Sequence, residues 1–344
     1  MRIALLGGGG FIGSNLALHL STLSQFEVTV YDRDAAKLQQ RFADSSACRF
    51  VSCDVREDAP ALASAVSDAD LVVNLIAHVL PKQFIGTPLE VVELNLHDNL
   101  RVLEACVRFQ KRILHFSTCE VYGKTGGSSE PFREDLSDCV LGPISNHRWI
   151  YSSAKQMMDR IIHAHGLNGD LDYTIVRPFN FVGPLMDWIG PSEHAVPRVF
   201  ASFMNALLEK KSLPLVNGGS SRRCFTYIGD AVRAIATIIQ NPEQTRNQII
   251  NIGNPGNETS IAELAALMRR LFEQQTGETA ASDDQYVSGD EFYGKGYEDC
   301  DRRVPDISKL HTLGWHPEFD LEQTFAATMA YCRKNHAALL ALPR

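Results

Sequence analysis

Three features are missing from this sequence of 344 residues: an excess of positive charge, a long apolar run and a metal-binding cysteine motif. Each absence excludes a class of protein. Acidic residues outnumber basic ones, with 41 Asp and Glu against 33 Lys and Arg, so the formal net charge is −8. Neither nucleic acid nor a membrane surface is therefore the expected main partner. No apolar run approaches the roughly 20 residues of a membrane-spanning helix. The eight cysteines contain no C-x-x-C pair and no metal-ligand spacing, so no bound metal is expected.

The N-terminus also lacks the pattern of a secretory signal, because Met1 and Arg2 lead directly into the apolar run of a first strand. Cysteines without a pairing pattern are typical of a reducing compartment, where most of them are small buried residues. We therefore expect a cytoplasmic protein. The chain is long enough to bury a large core and to form one large domain or two modest ones.

The most informative feature that is present is a glycine-rich loop directly after the apolar run 3–6. Gly7, Gly10 and Gly13 have the spacing G-x-x-G-x-x-G, and the helical pattern that follows makes this dinucleotide-binding fingerprint specific. Such a loop allows a pyrophosphate to approach the backbone, and the helix N-terminus favours its charge. Asp32 ends the next predicted strand, 19 residues after Gly13, where a carboxylate can hold the adenosine ribose and repels a 2′-phosphate. The sequence therefore predicts NAD, rather than NADP, as the cofactor.

The order of the predicted elements indicates the fold. Apolar strands alternate with helical segments through the first half of the chain, which is the pattern of a parallel sheet covered by helices on both faces. After Gly183 short elements rich in Pro and Gly follow. We predict an α/β fold with a Rossmann-type doubly wound parallel sheet in residues 1–180. Residues 181–344 are predicted to form a smaller cap that mainly binds substrate and returns segments to the sheet.

The predicted strands are 3–6, 27–31, 49–52, 70–75, 112–117 and 172–177, with helices over 88–109, 197–210, 229–241 and 260–275 and a long loop over 278–303.

A second motif, Tyr151 and Lys155, lies in a helical pattern between the fifth and sixth predicted strands. Residues four apart lie on the same face of a helix, one turn from each other. A tyrosine with an ordinary pKa near 10 is a poor base at neutral pH, and the lysine cation, with the positive nicotinamide, lowers that pKa. Together with the glycine loop, the pair predicts a redox enzyme that acts on an alcohol or a ketone.

The fifth predicted strand ends at Ser117, and the polar side chains that follow it are expected to face the substrate, since ligands of doubly wound sheets bind beyond the carboxyl ends of the strands. Thr118 can donate a hydrogen bond to the reacting oxygen. Glu120 can supply a second acid or base, and Cys119 is either a candidate acid or base or a small buried residue. The residues predicted to bind NAD are Gly7, Gly10, Phe11, Ile12, Gly13, Asp32, Asp54, Val55, Leu75, Ile76, Ala77, Asn99, Tyr151, Lys155 and Pro178.

Longer stretches extend these motifs, namely 115–124, 148–156, 177–180, 190–193, 196–199 and 291–306. With them the chain resembles, over nearly its whole length, the extended short-chain dehydrogenases/reductases of the NAD-dependent epimerase/dehydratase family that act on nucleotide sugars. Within that family it is most similar to the group that decarboxylates UDP-glucuronate. That group includes the UDP-apiose/UDP-xylose synthases and the dehydrogenase domain of the bifunctional polymyxin-resistance enzyme.

The resemblance implies a set of substrate-binding residues, in which Arg303 meets the sugar carboxylate and assists decarboxylation. Arginines suit a substrate that carries a diphosphate and a carboxylate, even in an acidic protein. Three positions depart from the group: Val79 replaces a cysteine or alanine, Phe84 a tyrosine expected to approach the glucuronate, and Leu185 an arginine. The substrate-binding residues that the resemblance implies are Phe84, Asn180, Arg198, Arg222 or Arg223, Tyr297 and Arg303.

The activity that the resemblance implies is NAD-dependent oxidation of UDP-glucuronate to a 4-keto sugar that loses CO2. The product is UDP-apiose, UDP-xylose or the UDP-4-keto-pentose. Two related activities stay open, a nucleotide-sugar 4-epimerase and a 4,6-dehydratase, although Cys119 occupies the position where the dehydratase has an aspartate. A catalytically silent dinucleotide sensor is the alternative from another class.

The resemblance also implies a homodimer, through apolar faces of the helices over 88–109 and 150–165.

Overall fold

The computed structural model describes residues 1–42, 48–186 and 198–335. The stretch 190–193 and residues 196–197, which contribute to the family resemblance, lie outside the described residues. Short helical or strand segments fill part of the predicted loop over 278–303, so it is more regular than the sequence indicates.

The strands are β1 (Arg2–Leu6), β2 (Glu27–Asp32), β3 (Arg49–Ser52), β4 (Leu71–Asn74), β5 (Arg112–Phe116), β6 (Tyr173–Pro178), β7 (Phe181–Val182), β8 (Leu213–Val216), β9 (Arg222–Cys224), β10 (Thr226–Tyr227), β11 (Gln248–Ile252), β12 (Glu258–Ser260), β13 (Asp284–Val287) and β14 (Arg302–Arg303).

The helices are α1 (Phe11–Ser21), α2 (Ala35–Phe42), α3 (Ala59–Asp68), α4 (Pro81–Gly86), α5 (Pro88–Val92), α6 (Asn99–Arg108), α7 (Ile150–Asn168), α8 (Val199–Leu208), α9 (Ile228–Gln240), α10 (Pro242–Thr245), α11 (Ile261–Thr276), α12 (Gly289–Phe292), α13 (Ser308–Thr312) and α14 (Leu321–Lys334). A π-helical turn, Glu93–Asp98, joins α5 to α6.

Seven parallel strands form the central sheet in the order β11-β6-β5-β4-β1-β2-β3. The predicted α/β fold with a doubly wound sheet is therefore confirmed. The seventh strand, β11, was not predicted; it comes from beyond residue 180 and pairs in parallel with β6. The chain reverses its direction of strand addition between β1 and β4, which opens a crevice at their carboxyl ends.

Alternation along β1 shows why both faces of the sheet are covered. Ile3 and Leu5 pack into one apolar cluster with α1, α2 and α9. Ala4 and Leu6 pack on the opposite face, in a cluster with α3, α6 and α7. Every one of these four side chains is buried, as expected for a strand with helices on both sides.

A second core lies beyond the carboxyl edge of the sheet and belongs to the C-terminal part of the chain. Its side chains come from α8, α11 and α14, and Phe325 is among the largest of them. Small sheets flank this core: β9 pairs with β12 and β14, and β8 pairs with β13. The segment with α12 and β14 thereby returns to the mouth of the crevice.

Candidate active site

A cavity of about 420 Å³ occupies the crevice between the sheet edge and the C-terminal core. Its lining runs from the glycine loop, past the end of β5, to the segment around β14. Many of the residues predicted from sequence share this lining: Gly7, Gly10, Phe11, Ile12, Gly13, Leu75, Ala77, Thr118, Cys119, Glu120, Tyr151, Pro178, Asn180, Arg198, Arg223, Tyr297 and Arg303. Residues up to 300 positions apart in the chain therefore meet around one space.

The glycine loop packs too closely for side chains. A Cβ on Gly13 would lie 2.5 Å from the Cα atom of Gly8, so α1 can begin against the turn only if this residue is glycine. Gly7 has a φ of +73°, in the left-handed region that glycine adopts without strain. The N-terminus of α1 is thereby exposed to the cavity, where the backbone fits a pyrophosphate.

Asp32 is fixed at the end of β2 by backbone donors. The Gly9 amide donates to its Oδ2 atom at 3.0 Å, and the Asp34 amide donates to Oδ1 at 3.2 Å. A carboxylate anchored beside the glycine loop can accept hydroxyl donors of a ribose and repels a phosphate in the same place. This arrangement fits NAD, although Asp32 itself lies at the margin of the cavity lining.

Several other predicted cofactor residues lie behind the lining. The Asp54 carboxylate is bound by the Arg56 guanidinium, with Oδ–N distances of 3.0 and 2.6 Å, and this hydrogen bonding lowers the pKa of Asp54 to about 2. Asn99 donates to the backbone oxygen of Ile76 at 3.2 Å and so holds the loop after β4. Val55 is buried next to Asp54. Asp54, Val55 and Asn99 are not among the residues that line the cavity.

Tyr151, at the start of α7, lies in the cavity wall with its ring stacked on Phe84. The two ring centroids are 4.7 Å apart and the planes differ by 5°. Burial raises the pKa of Tyr151 above its ordinary value of 10, a hydrogen bond with the Thr118 side chain opposes that rise, and nearby Glu120 adds to it. Phe84 was predicted to bind substrate. The structure places it behind Tyr151, fully buried, where it supports the ring of the tyrosine.

Lys155 follows Tyr151 by one turn of α7 and is buried. Its Nζ atom donates to the backbone oxygen of Phe116, at the end of β5, at 2.8 Å. Burial lowers the pKa of Lys155 to about 8. The pair of residues is thus brought together as the sequence predicts, but the lysine contacts the strand rather than the tyrosine hydroxyl.

Glu120 is the centre of a buried group of charges. Its two carboxylate oxygens accept from Nη1 and Nη2 of Arg148, each at 2.6 Å, and Oε1 also accepts from Arg303 at 3.2 Å. Burial alone would raise the pKa of Glu120, but the two guanidinium groups outweigh it, so that pKa lies below the ordinary 4.5. Glu120 is therefore held ionised, which argues against a proton donor, while its predicted role as a base stays a prediction.

Asp299 is the second carboxylate of this group. It accepts from Arg303 at 2.7 Å and from Arg223 at 2.5 Å, and it also accepts from the hydroxyl of Tyr297 at 3.0 Å. The arginines hold the pKa of Asp299 well below its usual range despite burial. Three arginines, including Arg148, thus face two carboxylates in the cavity wall, which leaves one positive charge in excess at this end of the cavity.

The structure separates the two adjacent arginines that the sequence left as alternatives. Arg223 is buried and lines the cavity. Arg222 points to the other side of β9, where it pairs with Glu258 at 3.0 Å and with Glu263 at 3.2 Å. Side chains alternate along a strand, so only one of the two neighbours reaches the cavity. Of the pair, Arg223 is the candidate substrate residue.

Asn180 and Arg198 complete the wall from the C-terminal side. Asn180 adopts a φ of +41° and donates to the backbone oxygen of Cys224 at 2.9 Å. The guanidinium carbon of Arg198 lies 5.7 Å from the ring centroid of Phe11, at the start of α1. Both residues therefore bridge the cap and the cofactor-binding part of the chain.

Cys119 lies in the cavity wall between Thr118 and Glu120, and burial raises the pKa of its thiol to about 11. The thiol is therefore protonated near neutral pH and suits a proton donor better than a thiolate nucleophile. Val79, from the loop after β4, also lines the cavity.

Among the residues of the cavity wall that sequence reasoning left out of the predicted site are Arg148, Tyr293 and Asp299. Arg148 precedes Tyr151 by three residues, and that helical spacing is a signal that could have identified it. Tyr293 stacks on Tyr297 with ring centroids 4.2 Å apart, which no local pattern indicates. Asp299 pairs with Arg303 in the cavity wall, where the Arg303 side chain is 4% exposed and that of Asp299 is 24% exposed.

The described residues also bear on whether the protein has a metal site or a membrane-spanning helix. Within 1–42, 48–186 and 198–335, no three or more His, Cys, Asp or Glu residues are placed to hold a metal ion. In the same ranges no helix is long and apolar enough to cross a membrane. No disulfide joins the cysteines of the described ranges.

Comparison with known proteins identifies the family. The profile of the NAD dependent epimerase/dehydratase family matches residues 3–253, so this chain belongs to that family and its cofactor is NAD. UDP-D-apiose/UDP-D-xylose synthase 1 of Arabidopsis thaliana is 39% identical, over 98% of this chain and 92% of its own length. UDP-D-apiose/UDP-D-xylose synthase of Oryza sativa subsp. japonica is 38% identical, over 98% and 90%. The family predicted from the motifs is confirmed.

Solved structures show the same architecture. The crystal structure of PbgP3 protein from Burkholderia pseudomallei superposes with a TM-score of 0.86 at 31% identity, over 100% of this chain and 99% of that chain. UDP-glucuronic acid 4-epimerase from Bacillus cereus, solved with UDP-glucuronic acid and NAD, gives a TM-score of 0.79 at 24% identity, over 97% and 99%. The second likeness is one of fold alone.

Proposed function

We propose that this protein oxidises UDP-glucuronate at C4 with NAD and releases the sugar carboxylate as CO2, giving UDP-apiose, UDP-xylose or the UDP-4-keto-pentose. The observation that carries the proposal is the cluster of Arg148, Arg223 and Arg303 in the cavity wall, because three buried guanidinium groups against two carboxylates favour an anionic substrate. The names of the two plant relatives support the same activity.

The residues present fit the cofactor, since the glycine turn admits a pyrophosphate and Asp32 is fixed for ribose hydroxyls. NAD, when bound, supplies a hydride acceptor that can later return the hydride. The candidate wall for it is the glycine loop together with Leu75, Ala77 and Pro178, all of which line the cavity.

Tyr151 is the candidate base for the C4 hydroxyl proton, and Thr118, its hydrogen-bond partner, can donate to the same oxygen. The 4-keto uronate that results is a β-keto acid, so C–C cleavage leaves electrons that the C4 oxygen can accept as an enolate. Thr118 and Tyr151 can stabilise that oxygen. Cys119 can supply a proton later in the sequence of steps.

Arg303 is the candidate residue for the sugar carboxylate, and Glu120 and Asp299 hold it in place. Glu120 binds both guanidinium groups, so it fixes the position of Arg303 relative to α7 and Tyr151. A 4-epimerase that acts on a neutral sugar has no carboxylate for this arginine to meet, and one that acts on UDP-glucuronate differs from the proposed enzyme in releasing no CO2. A dehydratase would need a second acid where this chain has the neutral thiol of Cys119.

The test is to incubate the purified protein with NAD+ and UDP-glucuronate and to follow released CO2 together with the NMR signals of the sugar. We expect CO2 and a UDP-pentose, whose identity assigns the product. CO2 release should be lost in Tyr151→Phe and in Arg303→Ala. Arg270→Ala is the control, because Arg270 binds Glu322 in an exposed pair outside the cavity.

Other outcomes would overturn the proposal in distinct ways. UDP-galacturonate without CO2 would indicate a 4-epimerase, and loss of water a dehydratase. Bound NAD without turnover of any keto sugar would favour a silent sensor. CO2 release that persists in Arg303→Ala would remove the role assigned to that arginine.

We also propose a homodimer through α5, the π-helical turn, α6 and α7, which pack side by side at one surface. Leu89 at the start of α5 is 81% exposed and Met157 on α7 is 49% exposed. Large apolar side chains on neighbouring helices are typical of a surface that a second copy covers. A reducing compartment, the cytoplasm, is the proposed location, which the lack of a disulfide among the described residues supports.

A further inference from the structure

Every terminal nitrogen of the three arginines in the charged group of the cavity wall already has a protein acceptor. Nη1 and Nη2 of Arg148 both donate to Glu120, and Nη1 of Arg303 donates to the same carboxylate. Nη2 of Arg303 donates to Asp299 at 2.7 Å. In Arg223, Nη2 lies 2.5 Å from Asp299, and Nη1 donates to a neighbouring backbone oxygen. A substrate that reaches these arginines therefore meets groups that the protein itself binds.

Arg303 has no further nitrogen to offer to a ligand in the cavity. Its Nε atom is buried and has no hydrogen-bond partner among the described residues, so a ligand does not reach it. A carboxylate can therefore bind this guanidinium only at Nη1 or Nη2, where Glu120 and Asp299 lie. Three carboxylates around one guanidinium place like charges side by side, which is unfavourable. One of the two protein carboxylates has to give way.

Asp299 is the carboxylate that can give way. Glu120 is fixed by two bonds of 2.6 Å to Arg148, and its side chain is 16% exposed. The Asp299 side chain is 24% exposed, the largest value among the five residues of the charged group. Water can replace a lost partner of an exposed carboxylate at little cost, whereas a buried carboxylate that loses its partner is strongly destabilised.

Asp299 also divides its partners between its two oxygens. Oδ1 accepts from Arg303 and from the backbone amide of Cys300, and Oδ2 binds Arg223 and the hydroxyl of Tyr297. The bond to Arg303 can therefore break while the carboxylate stays on Arg223. With a sugar carboxylate in the place of Oδ1, three carboxylates face three arginines, and the excess positive charge of the cavity wall is neutralised.

The proposed reaction gives this exchange a use. Decarboxylation destroys the sugar carboxylate while the rest of the sugar is still bound, so Arg303 loses its ligand in the middle of the reaction. A buried charge without a partner is costly. Asp299 lies close enough to bind the guanidinium again as CO2 leaves.

We propose that Asp299 holds the place of the sugar carboxylate on Arg303: it gives up Nη2 of Arg303 to the carboxylate of the substrate and binds it again after CO2 has left. This inference rests on the proposed function, because the group that takes the place of Asp299 is the carboxylate of UDP-glucuronate. Asp299 is then a specificity-determining residue, since a nucleotide sugar without a carboxylate leaves its bond to Arg303 intact.

The direct test is a crystal structure of the Tyr151→Phe variant with NAD+ and UDP-glucuronate, in which the substrate is bound but not oxidised. We expect the sugar carboxylate within hydrogen-bond distance of Nη2 of Arg303, and Oδ1 of Asp299 beyond that distance. The same variant with UDP-glucose, which has a hydroxymethyl group in place of the carboxylate, should keep the bond between Asp299 and Arg303. An intact bond in the UDP-glucuronate complex would overturn the proposal.

Calorimetric titration of the same NAD-bound variant measures the competition. Asp299→Asn removes the competing charge, so UDP-glucuronate should gain roughly tenfold in affinity relative to UDP-glucose. An equal change in both affinities would contradict the exchange, because a residue that only holds the arginines in position acts on both ligands alike. Asp301→Asn is the matched control, since it removes the same charge from an exposed side chain two residues away and should leave the ratio unchanged.

If Asp299→Asn does not fold, the two crystal structures still decide the question, because both retain Asp299. Failure of the proposed function is visible separately, as a parent protein that binds UDP-glucuronate and releases no CO2, while the exchange is still measured in Tyr151→Phe. A Tyr151→Phe variant that binds NAD+ but neither nucleotide sugar would overturn both the proposed function and the exchange.

Discussion

The burial of Lys155 makes the free energy of unfolding depend on pH. Lys155 is buried at 1% exposure, and its folded-state pKa is about 8 against an ordinary 10.5. Between these values the unfolded chain binds a proton that the folded chain does not. The free energy of unfolding therefore rises with pH across this window, because the unfolded state must lose the extra proton.

Lys155→Met should remove this contribution. We expect the parent to gain on the order of 3 kcal/mol relative to the variant as pH rises from below 8 to above 10.5, as the difference between the two pKa values implies. Chemical denaturation of both proteins across that range measures it. Effects of other titrating groups cancel in the comparison, and Lys210→Met, at an exposed lysine, is the control. A constant difference between parent and variant would refute the assignment.

Glu120 illustrates a residue type whose role depends on its partners. A glutamate after a strand end predicts an acid or base, but two arginines bind this one and hold it ionised. A permanently ionised carboxylate orients cations and cannot donate a proton. In the proposed reaction the positive cluster therefore binds substrate, and Tyr151 and Cys119 are the candidates for the proton steps.

Glu120→Gln should test whether Glu120 orients the two arginines or acts as an acid or base. Loss of the charge leaves Arg148 and Arg303 partly uncompensated, so we expect the free energy of unfolding to fall by roughly 3–5 kcal/mol. Activity should fall at every pH while the shape of the pH–kcat profile stays the same. Denaturation curves and the profile are the measurements. Disappearance of one limb of the profile would instead restore the role of Glu120 as an acid or base.

At the scale of elements, the π-helical turn between α5 and α6 determines the position of the loop after β4. Asn95, in that turn, donates to the backbone oxygen of His78 at 3.2 Å and to that of Val91 at 2.9 Å. π-helical turns are frequent at functional sites because they redirect side chains. Here the redirected amide fixes a loop of which Ala77 and Val79 line the cavity.

Asn95→Ala should loosen this loop. The buried His78 oxygen loses its donor, so we expect the free energy of unfolding to fall by about 1–3 kcal/mol and NAD to bind more weakly. Isothermal titration with NAD and thermal unfolding measure the two effects. Asn241→Ala is the matched control, since Asn241 makes a similar bond to the residue four before it, at 2.8 Å, at the end of α9. Equal losses of NAD affinity in both variants would contradict the role of the turn.

The segment around α12 and β14 is a second element whose position matters. Glu298 accepts from Asn146 at 2.9 Å and from Trp149 at 2.7 Å, and it also pairs with Lys124. These bonds tie the segment to the start of α7. Tyr297 and Asp299, on either side of Glu298, are thereby held in the cavity wall.

At the scale of the whole molecule, one cavity joins two cores. The sheet with its helices supplies the glycine loop and Tyr151, and the C-terminal core supplies Arg223 and Arg303 through β9 and β14. The two strands pair in parallel, with Arg223 beside Arg303 in register. In the proposed reaction, substrate binding and hydride transfer are thus divided between two parts of the chain.

The proposed homodimer is the prediction at this scale. Sedimentation of the parent should give twice the chain mass of 38.1 kDa. Leu89→Arg combined with Met157→Arg should give a monomer, because two charges at the apolar surface have no partner there. Tyr286→Arg, at an exposed side chain on β13, should remain dimeric. A monomeric parent, or a variant that stays dimeric, would refute the proposed surface.

The sequence by itself determined six of the seven strands of the sheet, the cofactor loop and the Tyr151–Lys155 pair, because each depends on local spacing: alternation in strands, close glycines before a helix, and residues four apart on a helix. Only the tertiary structure decided which of Arg222 and Arg223 faces the cavity, that Phe84 supports Tyr151 from behind, and that Glu120 is held ionised. These depend on strand register, packing and charges brought together from distant parts of the chain. The pairing of Asp299 with Arg223 and Arg303 is of the same kind, since β9 and β14 meet only in the folded protein.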